Sequence, residues 1–126
     1  MTQDHRFLNQ MFNRVSEVVA IHDGPNWAEQ LVENEQVMAT LISREPGDSS
    51  RRHYHPDHDE FWIVMGGELV WEIERQDPIH AYAGDIVRVP MGAPHHITTV
   101  GDGTSLRLAI VAPDVPHVDV ETGEVF

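Results

Sequence analysis

The chain has 126 residues, with 8 Lys and Arg against 21 Asp and Glu for a formal net charge of −13, and no cysteine. That length points to one domain spanning residues 1–126, and a hydrophobic content of 40% is enough for a modest core. So acidic a surface repels nucleic acid and anionic lipid, and without cysteine neither a disulfide framework nor thiolate metal ligation can form.

No apolar run approaches the length of a membrane span, and no basic-then-apolar start resembles a secretory signal, so a cytoplasmic protein is expected. At the amino end Phe7, Leu8, Met11 and Phe12 fall at helical spacing, which predicts a helical turn or two within His5 to Phe12, packed on the outside of a sheet. From Val15 onward the signals are β. The run Val18-Val19-Ala20-Ile21 reads as a short strand ended by Asp23-Gly24-Pro25. Further strands are expected at Val37 to Ser43, Arg52 to His55, Glu60 to Met65 and Glu68 to Glu74, with Gly66-Gly67 between the last two as a hairpin signal. Ile79 to Ala83, Ile86 to Val89, His95 to Val100 and Leu106 to Val111 complete the set, each closed by glycine or proline. Short strands at regular intervals with such punctuation argue for an all-β sandwich or barrel. Asp114 to Phe126 reads as an extended tail lying on the barrel or reaching a partner subunit.

Two spaced runs carry the chemistry. The first is Gly47-(five)-His53-Tyr54-His55-(four)-Glu60-(six)-Gly67, and the second is Gly84-(five)-Pro90-Met91-Gly92-(two)-His95. Side chains at i and i+2 of a strand share a face, so His53 and His55 project together with Tyr54 on the other side. Glu60 opens the next strand and re-enters the same space, and His95 opens a strand that can arrive from the opposite wall. Three neutral imidazoles and one carboxylate make a borderline donor set for a single divalent transition ion (Fe, Mn, Ni, Co, Cu or Zn) rather than for Ca or Mg. On an octahedral ion such a set leaves positions open, the mark of a catalytic rather than a closed structural site.

In these two runs the chain resembles the cupin superfamily, and specifically its small single-domain members. Motif 1 is matched at residues 47–67 and motif 2 at residues 84–99, with Thr99 standing where the family usually has asparagine. The resemblance implies an all-β double-stranded β-helix, a jelly-roll barrel of six or eight strands. It implies His53, His55, Glu60 and His95 as metal ligands, and a homodimer paired through its sheets. The family spans dioxygenases, isomerases, epimerases, lyases, decarboxylases and non-catalytic binders, so the fold does not fix the reaction.

Beyond the ligands, strand alternation turns Trp62 inward with Glu60, and Ile97 and Thr99 inward with His95, which makes them candidates for the wall of a substrate pocket. His96 should face outward, and His58 sits in an acidic loop. Arg88 and Arg107 lie within strands, where either could reach into the barrel and pair with a substrate carboxylate or could equally lie on the solvent face. His117, in the tail, has no partner that the sequence assigns. No nucleophile elbow, phosphate loop or dinucleotide fingerprint competes. The leading expectation is a metal-dependent enzyme, of dioxygenase type, acting on a small oxygen-rich molecule. Glu60 would double as a catalytic base. Isomerase, epimerase or lyase chemistry and non-catalytic ligand binding are the alternatives.

Overall fold

The computed structural model describes residues 6–113 and 115–126. Among them one short helix, α1 (Val15–Ala20), precedes ten strands: β1 (Trp27–Glu33), β2 (Met38–Arg44), β3 (His53–Tyr54), β4 (Glu60–Gly66), β5 (Glu68–Ile73), β6 (Ile79–Tyr82), β7 (Ile86–Val89), β8 (His95–Val100), β9 (Ser105–Val111) and β10 (Val118–Asp119). They form two five-stranded sheets, ordered β1-β2-β9-β4-β7 and β10-β3-β8-β5-β6, with every strand pair antiparallel. Among the described residues no helix is long and apolar enough to cross a membrane.

The two faces of the first sheet bury against different partners. Its inner face meets the second sheet over Trp62, Val64, Val87, Val89 and Ala109 from one side and Leu69, Trp71, Ile73, Ala81 and Ile97 from the other. On the outer face Leu31 and Leu41 are covered by Val18 of α1, with Phe7 and Val15 alongside. Complete burial of a side chain such as Leu41 contributes roughly 1.5–3 kcal/mol. Strand β2 therefore serves both layers: Ala39, Leu41 and Ser43 are buried towards α1, while Ile42 packs on the inter-sheet core. Thr40, Ile42 and Arg44, on the inner side, stay only partly covered.

Three expectations are corrected. Val18 to Ile21 is not a strand. Val15–Ala20 is helical, and its i, i+3 pair Val15 and Val18 faces the Leu31–Leu41 layer. A four-residue apolar run fits either period, and tertiary burial decides. The helical turns expected in His5 to Phe12 do not form over the described part, where residues 6–9 make a turn; His5 lies outside the described residues. Asn9 ties this segment to β1 instead, accepting from the Glu33 amide and donating to the Glu33 carbonyl.

The third correction concerns Gly66-Gly67. Glu60–Gly66 and Glu68–Ile73 are strands, but they belong to different sheets and do not pair with each other. A two-residue type I′ hairpin needs positive φ at both turn residues. Gly67 alone has it, at 72°, and Gly66 remains in β4 opposite Leu106. A Cβ on Gly67 would stand 2.6 Å from the Thr104 carbonyl oxygen and 2.8 Å from Ser105 Cα, so glycine is required where the chain leaves one sheet for the other.

Two strands escaped the sequence reading. In β1 the alternation is masked because buried Glu29 occupies an apolar position, satisfied by His22 Nε2 at 3.1 Å, and the register slips at Gln30/Val32. The two-residue β10 exists only through pairing with β3, a contact from the far end of the chain.

Candidate metal centre

His53 lies on β3, His55 just past it, Glu60 at the start of β4 and His95 at the start of β8. The register places His53 directly opposite His95, and their rings stand 4.5 Å apart between centroids. The ring of His55 lies 5.1 Å from that of His53 and 5.7 Å from that of His95. Glu60 reaches in from the opposing sheet. One ligand atom from each of the four falls within 4.8 Å of all the others, and all four residues are buried.

The orientation of each imidazole is fixed from behind. His53 Nδ1 donates to the Arg51 carbonyl at 2.6 Å, His95 Nδ1 to the Ala93 carbonyl at 2.9 Å, and His55 Nδ1 to the Pro116 carbonyl at 3.1 Å. A carbonyl can only accept, so each Nδ1 carries the hydrogen and each Nε2 is turned inward. This is the arrangement by which metal-binding histidines are held in one tautomer and one orientation. His95 Nε2 is fully buried, with no hydrogen-bond partner among the described residues. His55 Nε2 lies 2.6 Å from Glu60 Oε1.

Electrostatics follow the same geometry. Burial pushes His95 down to about 4 and holds His53 below its ordinary value. Burial pulls His55 in the same direction, but the hydrogen bond and charge of Glu60 outweigh it and leave His55 raised. An orphaned inward nitrogen, three imidazoles oriented through Nδ1 and one carboxylate fit a divalent transition ion, and these four residues could hold one.

The walls can be read off the strands. Trp62 is buried, edge-on to the His95 ring at 5.8 Å and tilted against Trp71 at 5.5 Å. Ile97 is in the inter-sheet core, and Thr99 is buried with its hydroxyl bonded to Ser105 Oγ at 2.8 Å. Arg107 is buried on the inner face of β9. Arg88 is a correction: Val87 and Val89 take the inner face of β7, so Arg88 points to solvent and bonds Asp59 Oδ2 at 2.8 Å. His96 faces outward and pairs with Glu72 across the strands, and His58 is exposed in its loop.

One residue near the centre was not assigned from the sequence. His117 packs its ring 4.6 Å from His55 and 5.1 Å from His53. It arrives on the tail, which forms β10 and doubles back so that His117 and Phe126 exchange backbone hydrogen bonds. Phe126 in turn stands against His117 and His53, and Arg51 lies 4.0 Å over the Phe126 ring while bonding Asp119. The tail thus lies on the barrel, as expected, and forms part of the site's rim. The only hint in the sequence was a histidine following Pro116 in an otherwise extended segment.

Comparison with known proteins agrees with this picture. A polyketide synthase protein, CurC, from Streptomyces cyaneus is 31% identical over 90 residues, 67% of this chain and 56% of that one, so the match spans about half the relative's length. A Klebsiella pneumoniae protein with a double-stranded β-helix domain superposes with a TM-score of 0.69 at 24% identity, over 83% of this chain and 91% of that one. A sugar phosphate isomerase of the cupin superfamily from Silicibacter pomeroyi superposes with a TM-score of 0.62 at 27% identity, over 69% and 58% of the two chains. The fold is the double-stranded β-helix. Residues 40–113, which contain all four clustered side chains, match the family model for the cupin domain, and the chain belongs to that family.

Proposed function

We propose that this protein is a mononuclear metal enzyme acting on a small, oxygen-rich, chelating molecule. The observation that carries the reading is the convergence of three inward-turned Nε2 atoms and the Glu60 carboxylate within 4.8 Å, with every Nδ1 held by a carbonyl. A divalent transition ion bound there supplies Lewis acidity to an oxygen donor of the substrate. His53, His55 and His95 hold the ion, and Glu60 offsets part of its charge and stands ready as a base. Trp62 and Ile97 keep bulk water from the inner side. A formal net charge of −13 disfavours nucleic acid and anionic lipid as partners and leaves a small molecule as the ligand of this reading.

Two reactions fit this frame. The oxygenase reading rests on the donor set alone. A redox-neutral isomerase, lyase or epimerase needs a separate proton-transfer group, and His117, packed on His55 at the rim, is a residue of that kind. The sugar phosphate isomerase noted above lends this second reading further support. Metal analysis of the purified protein together with oxygen uptake on a panel of diketones, catechols and hydroxy acids decides between them. Bound iron with substrate-dependent oxygen uptake supports the oxygenase, and turnover without uptake supports the redox-neutral reading. Protein that binds no transition ion under any loading condition would contradict both.

A homodimer also belongs to this reading. Phe61, Met65 and Ile86 expose apolar surface on the outer face of β4 and β7, a face fit for a second copy. Ile86→Asp should then shift sedimentation from dimer to monomer, and an unshifted species would remove that face from consideration.

A further inference from the structure

Arg107 differs from six of the protein's seven other arginines. Arg14, Arg44, Arg51, Arg52, Arg75 and Arg88 each form an ion pair at the surface. Arg107 is only 6% exposed, and among the described residues no hydrogen bond or ion pair engages its guanidinium; its Nε is fully buried and unpaired. Burial lowers its pKa, with the Arg44 charge acting in the same sense, but only to about 10, so it remains a cation at neutral pH. Burying a charge without a partner is costly, and its retention calls for a partner that arrives later.

The register shows where such a partner would sit. Arg107 is flanked across the strands by Ile42 of β2 and Val64 of β4. The next inward residue on β9, Ala109, faces Trp62, whose ring meets His95. Arg107 and the metal cluster therefore share the space between the sheets. The acids whose charges reach Arg107 are engaged elsewhere: Glu60 with His55, and Asp48 with Arg44 at 3.6 Å. Thr99 and Ser105 are bonded to each other. On this side Thr40, Ile42 and Arg44 of β2 remain partly open to solvent.

We infer that Arg107 binds a carboxylate of the ligand whose other end reaches the candidate metal centre, so that the substrate is a small carboxylate-bearing oxygen chelator rather than a neutral molecule. The inference rests on the proposed metal-enzyme reading for the ligand's other end only. A guanidinium matches a carboxylate in a two-pronged hydrogen bond. One unpaired cation among apolar neighbours suits a single carboxylate better than a phosphate dianion, which calls for several donors.

The test is calorimetric titration of the full chain, wild type, Arg107→Gln and Arg107→Lys, each metal-free and Mn(II)-loaded. The probes are malonate, its neutral diamide and inorganic phosphate. The expected result is that Arg107→Gln weakens malonate binding at least about tenfold in both forms, since a charge-assisted hydrogen bond is lost. Arg107→Lys should retain more affinity than Arg107→Gln, and the diamide should not distinguish the three proteins. Metal content should be unchanged, and the melting temperature of Arg107→Gln should equal or exceed wild type, because the removed charge had no partner. Equal malonate affinity in wild type and Arg107→Gln would overturn the inference. So would absent malonate binding by wild type, Arg107-dependent binding that favours phosphate, or a lower melting temperature of Arg107→Gln with malonate affinity unchanged. A wild type that takes up no Mn(II) yet binds malonate through Arg107 would sink the metal reading and support this one.

Discussion

Nε2 of His55 lies 2.6 Å from Oε1 of Glu60, across the gap between the two sheets. Both atoms are metal donors in the proposed centre, so a proton on His55 and a metal ion compete for the same pair. Glu60→Gln keeps the shape and removes the charge. Its affinity for Mn(II) or Zn(II) should fall at least about tenfold, the scale on which even indirect supports of a metal site act. Titration against a competing chelator measures this. Wild-type affinity in the variant would remove Glu60 from the donor set.

His53→Ala and His95→Ala each delete one inward nitrogen, and among the described residues His95 Nε2 has no other partner. Each variant should lose about ten- to a hundredfold or more in metal affinity. His96→Ala is the matched control, since that ring faces outward towards Glu72. Elemental analysis should find the control loaded like wild type and the other two depleted. Equal loading of all three would place the ion elsewhere.

At Gly67 a methyl group meets backbone on two sides, and φ is +72°. Gly67→Ala should cost roughly 1–3 kcal/mol of unfolding free energy, the range for enforced left-handed backbone at a residue with a Cβ. Gly47 also has positive φ, but nothing lies within 4 Å of its would-be Cβ, so Gly47→Ala should cost less. Urea titrations of the two variants give the ordering, and a reversed order would refute the account of the sheet-to-sheet crossing.

The tail is clamped through Asp119. The Arg51 hydrogen bond, supported by the backbone amides of Thr122 and Glu121, brings its carboxyl down from 3.8 to about 2. A carboxyl depressed in the folded state contributes stability above its unfolded pKa and loses it as pH falls through the folded one. The clamp should therefore hold above pH 3.8 and be lost as the pH approaches 2. Asp119→Asn should melt lower than wild type at neutral pH, and the gap between the two should close over that acid window. Melting curves at stepped pH test this, and a gap that stays constant would assign the tail's attachment to other contacts.

Much of the site was legible because it depends on local spacing. His53 and His55 are two apart on one strand, and Glu60 and His95 open strands bounded by proline and glycine, so their directions follow from alternation. The same rule placed Trp62, Ile97 and Thr99 inward and His96 outward. It was silent on which face of β7 and β9 is inner, and therefore treated Arg88 and Arg107 alike, although the structure buries one and exposes the other. His117 could not be assigned, because its place depends on β10 pairing with β3 from more than sixty residues away. The Gly66-Gly67 signal marked the break between two strands, but pairing partners are set by both sheets together, and the turn alone could not tell a hairpin from a passage between layers.

The cluster draws its imidazoles from the β3–β8 side and its carboxylate from β4, in the other sheet. An ion seated there would act as a rivet through the sandwich. Loading would resist any breathing of the two layers apart, so the emptied barrel should be the more pliable one, most of all beside β3, to which the tail is fastened.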